Sequence, residues 1–165
     1  MLTKWINVTE FPGYVVSNYG EVYNEETGKF LKQSPVQYGI LTVGLMRDGK
    51  IYRRSVATLV AMAFHDKPRP DFNTVIHLDG HKDNCRADNL MWRTRPYAVR
   101  YHQDIVQDLY PHQNKMIEAV ELGQAFSHIM TVSRKFGLIP SHIYHGILNN
   151  SKVWPVNLTF RFLEN

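Results

Sequence analysis

The chain has 165 residues, 44% hydrophobic and 21% charged, with 19 Lys and Arg against 15 Asp and Glu for a net charge of +4. That length suits one domain or a few small modules and excludes large scaffolds such as an α/β barrel, while the composition excludes disordered and fibrous classes. No apolar run approaches the roughly 18 residues of a membrane span, and the opening MLTKWINVTE lacks the apolar core of a signal peptide. The single Cys85 can build neither an internal disulfide nor a cysteine-based zinc site, so a reducing cytoplasmic setting and no membrane role are expected.

Charge is unevenly spread. Residues 1–27 carry −3, residues 28–100 carry +7 and residues 101–165 carry zero. A basic middle segment is what a polyanion-facing surface requires, although a solvated face would read the same way.

Residues 4–16 are rich in aromatic and β-branched types broken by Pro12–Gly13, which predicts short strands, and Glu21–Val22–Tyr23 resumes the pattern until Gly28. A hairpin is expected from Ile40–Met46 and Lys50–Arg54 around Asp48–Gly49. Ser55 then caps an alanine-containing apolar run, 56–64, that predicts a helix ended before Pro68 and Pro70. Thr74–Leu78 reads as a strand followed by a turn at Asp79–Gly80–His81. A helix is expected over 96–110, with Val99, Ile105, Val106 and Leu109 as its buried face, and 111–114 as a linker. The last fifty residues begin with a short strand, 117–120, that turns at Gly123. Ile129, Val132 and Phe136 then share one face of a helix stopped by Gly137, and Pro140–Ser141 opens a second helix with Ile143, Ile147 and Leu148 at helical spacing. Helix, glycine turn, helix is the layout of a helix-turn-helix reader, and equally of a plain helical hairpin. Val153–Trp154 and the strand 158–162 close the chain. Three modules are expected, at 1–54, 55–110 and 115–165.

Three stretches carry a resemblance. Trp5 and Phe11, followed by Gly13–Tyr14, Val16–Ser17–Asn18, Gly20 and Val22, form a block that resembles the N-terminal module of phage and intron-encoded HNH homing endonucleases. Leu59–Val60–Ala61, Ala63–Phe64, Val75 through Asn84, then Asp88–Asn89–Leu90 and Trp92 are similar to that family's nuclease core, and 132–143 to the helix-turn-helix segments that follow it. The resemblance implies an α+β fold: antiparallel hairpins, then a ββα-metal core, then a small helix-turn-helix-like module. It also implies phosphodiester hydrolysis by a metal-bound centre, with His77 as general base and Asn89 as the residue that braces the loop and orients it.

The ligand positions depart from that pattern. Where the family places Asp or Asn before the base histidine the chain has Ile76, and nine residues beyond Asn89 it has Ala98. Ala57 replaces the family's histidine in the preceding helix. Neither Ile nor Ala offers a lone pair to a cation. Asp79, His81, Asp83 and His102 are nearby alternatives, although Asp79 and Asp83 suit turns equally well. The expectation is a double-stranded DNA-binding protein with an inactivated nuclease centre and no cofactor, monomeric, encoded by a phage or mobile element. The alternatives are an active nicking enzyme using His77 with Mg or Mn, and a module that docks on a host or phage protein. DNA contacts are assigned to Arg47, Lys50, Arg53, Arg54, Lys82, Arg86, Arg93, Arg95 and Arg100, and in the last module to Arg134, Lys135, His142 and Asn149, with Ser141 and His145 beside them. Tyr14, Tyr19 and Tyr23 are read as packing residues.

Overall fold

The computed structural model describes residues 2–107 and 115–163, so Leu109 and the 111–114 linker lie outside the described residues, as does the Val106 side chain. The fold is mixed α+β with antiparallel strands, and the chain divides into two compact units, Met1–His77 with His81–Arg95, and Leu78–Gly80 with Pro96–Asn165.

The first unit starts with a four-stranded antiparallel sheet, β1 (Trp5–Asn7), β2 (Tyr14–Ser17), β3 (Val22–Asn24) and β4 (Lys29–Phe30), in that spatial order. A three-stranded sheet follows from β5 (Ser34–Pro35), β6 (Leu41–Arg47) and β7 (Lys50–Ser55). β6 and β7 pair from Thr42 opposite Ser55 to Arg47 opposite Lys50, closed by Asp48 and Gly49 at φ of 53° and 71°. Two consecutive left-handed residues match the twist of the strands they join, and Asp-Gly is a pair that tolerates them. Ser55 then caps α1 (Val56–Phe64), its hydroxyl accepting from the Thr58 amide at 3.4 Å. β8 (Thr74–His77) and β9 (Leu90–Arg93) form a two-stranded sheet with Ile76 opposite Met91. The Trp92 indole N–H is shared between the Ala61 and His65 carbonyls at 3.3 and 3.2 Å, which fastens β9 to the end of α1. One core gathers Phe11, Val16, Val22, Leu45, Val60 and Leu90, drawing on both the early sheets and the segment around α1 and β9.

The second unit contains α2 (Arg95–Gln107, from Pro96 onward), β10 (Ile117–Ala119), β11 (Gln124–Phe126), α3 (Ile129–Phe136), α4 (Pro140–Leu148) and β12 (Phe160–Phe162). β10 is the middle strand between β11 and β12. α3 ends where Gly137 adopts φ 60°, and Ile117, Ile129, Val132, Leu138, Ile143 and Phe160 make the core.

Two expectations about buried faces are corrected. Val99 is 54% exposed, and α2 instead buries Tyr97, Tyr101 and Asp104. Spacings of four and seven residues still define one helical face, but aromatic rings with hydroxyl tips and a paired acid occupy it. Leu148 is also exposed, because α4 ends there and its buried face runs through Ile143 and Gly146.

Candidate nuclease centre and nucleic-acid interface

His77 is the last residue of β8, half-buried, with its Nε2 shielded from solvent. Asn89 closes a short helical turn, 87–89, and its side-chain amide donates to the Asn84 carbonyl at 2.9 Å. That bond pins the segment between the two strands. Ile76, the residue before the histidine, is only 3% exposed, and Ala57 is equally enclosed. Cys85 is buried and burial pushes its thiol up to about 11, so it stays protonated near neutral pH and serves as packing.

The residues present do not fit a divalent cation. Ile76, Ala98 and Ala57 are apolar where the family pattern supplies donors. Among the described residues, no three His, Cys, Asp or Glu side chains gather into a set that could hold a metal ion, with Asp79, His81, Asp83 and His102 included in that statement.

The cations divide into those already engaged and those presented to solvent. Arg47 and Arg54 both lie over the Phe11 and Tyr52 rings, at 5.0 to 5.6 Å from the centroids. Arg47 also donates to the Glu10 carbonyl at 3.1 Å, and Arg54 sits 3.8 Å from the Glu10 carboxylate. Lys82 lies over Tyr38. Arg86 forms a bidentate pair with Asp88 at 3.1 and 3.0 Å while lying over Tyr19, and that hydrogen bonding holds the Asp88 carboxyl below its usual range. Arg100 donates to Asp104 at 3.1 Å. Lys50, Arg53 and Arg95 are exposed, as are Arg134 and Lys135 in the last turn of α3. These five have no side-chain partner among the described residues.

Arg93 requires correction. It is 4% exposed, donates to the Trp92 carbonyl at 2.8 Å and faces Phe72, so its charge is directed inside the first unit. Ser141 is buried as well, with its amide and hydroxyl both directed at Asp104. His142 and His145 remain exposed on α4 and Asn149 at its C-terminal cap, at spacings of three and four residues that bring them toward one side. Partial burial lowers His142 below the ordinary histidine value, with Asp104 opposing and Arg100 and His145 reinforcing, so the ring is neutral near pH 7. The tyrosines pack as expected: Tyr14 is buried and its hydroxyl accepts from the Met46 amide, Tyr19 underlies Arg86, and Tyr23 meets Trp5 and Phe30. Sequence reasoning misses Tyr97 and Asp104. The available signal is their seven-residue spacing on α2, together with an Arg100–Asp104 pair one turn apart.

No helix among the described residues is long and apolar enough to cross a membrane.

Comparison with known proteins places these features in a lineage. The NUMOD4 motif matches residues 4–46. An uncharacterised HNH endonuclease of Acanthamoeba polyphaga mimivirus is 30% identical over 156 residues, covering 92% of this chain and 46% of the relative. DNA endonuclease I-HmuI of Bacillus phage SP01 is 38% identical over 97 residues, covering 58% of this chain and 55% of the relative. The chain thus spans about half the length of these curated relatives. A solved structure of the HNH homing endonuclease I-HmuI, described as showing DNA binding and cleavage, matches 98% of this chain and 99% of its own with a TM-score of 0.56 at 25% identity. Motif, sequence identity along nearly the whole chain and shared fold all support a relationship to the HNH homing endonuclease family.

Proposed function

We propose that this chain binds double-stranded DNA and does not cut it. The observation that carries the reading is Ile76, a buried hydrocarbon at the position before His77 where the family pattern has a metal donor. With Ala98 at the second ligand position, neither place offers a donor to the cation that stabilises charge at a scissile phosphate. His77 can still accept a proton, but without that stabilisation its water has no activated target. Affinity for DNA uses different residues and is unaffected by this loss. Lys50, Arg53, Arg95, Arg134 and Lys135 suit phosphate contacts, and the side of α4 that bears His142 and His145, with Asn149 at its cap, suits base edges. The similarity to I-HmuI, whose described activity is DNA binding and cleavage, supports the DNA partner. The organisation at 1–54, 55–110 and 115–165 belongs to the same reading, with the first two segments acting together through the core they share.

The test uses supercoiled plasmid with the wild-type chain and His77→Ala, in magnesium and in manganese, beside duplex binding at increasing salt. The expected result is salt-sensitive binding with plasmid left supercoiled. Metal-dependent nicking that disappears in His77→Ala would overturn the reading in favour of an active nicking enzyme.

A further inference from the structure

Within the second unit, α2 is joined to the α3–α4 turn by two sets of buried hydrogen bonds. The Tyr97 hydroxyl donates to the Gly137 carbonyl at 3.1 Å and accepts from the Ile139 amide at 3.1 Å. One oxygen therefore bridges both sides of the turn, satisfying a carbonyl beyond the end of α3 and an amide at the start of α4. Seven residues further along α2, one Asp104 oxygen accepts from the Ser141 amide at 3.2 Å and from the Ser141 hydroxyl, while the other accepts from Arg100 at 3.1 Å. Asp104 thus caps α4 from outside the helix, where the α4 cap residue, Ile139, has no side-chain hydrogen bond of its own to offer. The Tyr97 ring also meets His142 edge-on at 6.1 Å and Trp154 at 5.4 Å.

These contacts fix more than the existence of α4. Apolar packing seats α4 on its core, and hydrogen bonds to two amides at its start, being directional, add a further restriction on rotation about its axis. Rotation is the variable that decides which way His142, His145 and Asn149 point. On the same face of α2, the Tyr101 hydroxyl donates to the Leu78 carbonyl at 2.9 Å, and Ile105 packs so tightly on Gly80 that an added Cβ there would lie 2.6 Å from it. The helix therefore serves both the segment that follows His77 and the turn before α4.

We infer that Tyr97 and Asp104 are positioning residues for DNA recognition: they set the orientation of α4, and α2 belongs to the reading unit as its orienting helix. This rests on the reading that α4 faces DNA. Base-edge contacts depend on direction, while phosphate attraction is diffuse, so loss of positioning lowers sequence discrimination and leaves general duplex affinity in place.

The experiment takes duplexes enriched by the wild-type full chain from a random pool and measures affinity for an enriched duplex and for its scrambled sequence. Tyr97→Phe, which deletes one hydroxyl, and Asp104→Asn, which replaces the anionic acceptor, are compared with wild type below their unfolding temperatures. Each is expected to reduce the ratio of the two affinities by about tenfold, the scale of one lost base contact, with scrambled-duplex affinity unchanged. Faster amide exchange at Ser141 in Asp104→Asn and at Ile139 in Tyr97→Phe, measured without DNA, is the accompanying signature. Variants that melt earlier yet keep the wild-type ratio would overturn the positioning role and leave only a structural one. A wild-type chain that enriches no sequence would overturn the DNA-reading function of α4 and the inference with it. Should Asp104→Asn fail to fold, Tyr97→Phe decides the matter alone.

Discussion

At the scale of single residues, the proposed loss of cleavage rests on packing side chains that stand where the family pattern has ligands. Ile76 lies in β8 opposite Met91 and is almost completely enclosed, so its side chain now contributes to the stability of the two-stranded sheet. Ile76→Asp is therefore expected to destabilise the protein by about 3–5 kcal/mol, combining the loss of a buried aliphatic group with the burial of a carboxyl. Urea unfolding monitored by tryptophan fluorescence measures this directly. Added manganese should not recover the loss, because Ala98 supplies no second donor. Recovery with metal would mean that the pocket still closes around a cation. Arg93 carries the complementary lesson. An arginine in a basic segment reads as surface from sequence, yet here its neighbours Trp92 and Phe72 draw it inward. Its long apolar stem and a carbonyl acceptor make that burial tolerable, and neither condition is visible in the one-dimensional pattern.

At the scale of elements, what can be read from sequence follows local chemistry. The β6–β7 hairpin is legible because Asp48–Gly49 is one of the few pairs that accept two left-handed residues in succession. The Ser55 cap and the Gly137 stop are legible for the same kind of reason. The buried face of α2 is not, because aliphatic residues are the usual marker of such a face while tertiary packing selects Tyr97, Tyr101 and Asp104. Their burial depends on acceptors and donors in Leu78, Gly137, Ile139 and Ser141, partners that lie 23 to 42 positions distant. Candidate site residues divide similarly: His77 and Asn89 are assigned through the resemblance to the HNH pattern, whereas which cations are free depends on long-range neighbours. Gly146 tests the packing of α4. Alanine ordinarily favours a helix interior over glycine by up to about 1 kcal/mol. Here a Cβ would lie 2.5 Å from a methyl of buried Val153, whose backbone is itself tied to Leu158. Gly146→Ala is expected to destabilise by about 1–3 kcal/mol despite the propensity gain, read as a lower melting temperature. A higher melting temperature would show that the Val153 segment yields freely.

At the scale of the whole molecule, net charge is a poor guide to DNA affinity, because engaged and available cations enter it equally. The thirteen Lys and Arg of residues 28–100 include Arg86, paired with Asp88, and Arg93, enclosed beside Trp92. They also include Lys50 and Arg53, which project from the same hairpin without side-chain partners among the described residues. By strand alternation these two lie on opposite faces of β7, so they can flank a backbone that approaches the strand edge. Each phosphate neutralised contributes about 0.9 to the slope of log affinity against log salt on duplex DNA. Replacing Lys50 and Arg53 together with glutamine should therefore reduce that slope by about 2, while Arg86→Gln changes it far less because Asp88 already balances the charge. Binding isotherms on one random-sequence duplex across a series of salt concentrations provide the measurement. A slope reduction of about 0.9 from Arg86→Gln alone would mean that Arg86 leaves Asp88 for phosphate on binding, and that the division of cations seen in the free protein does not govern the complex.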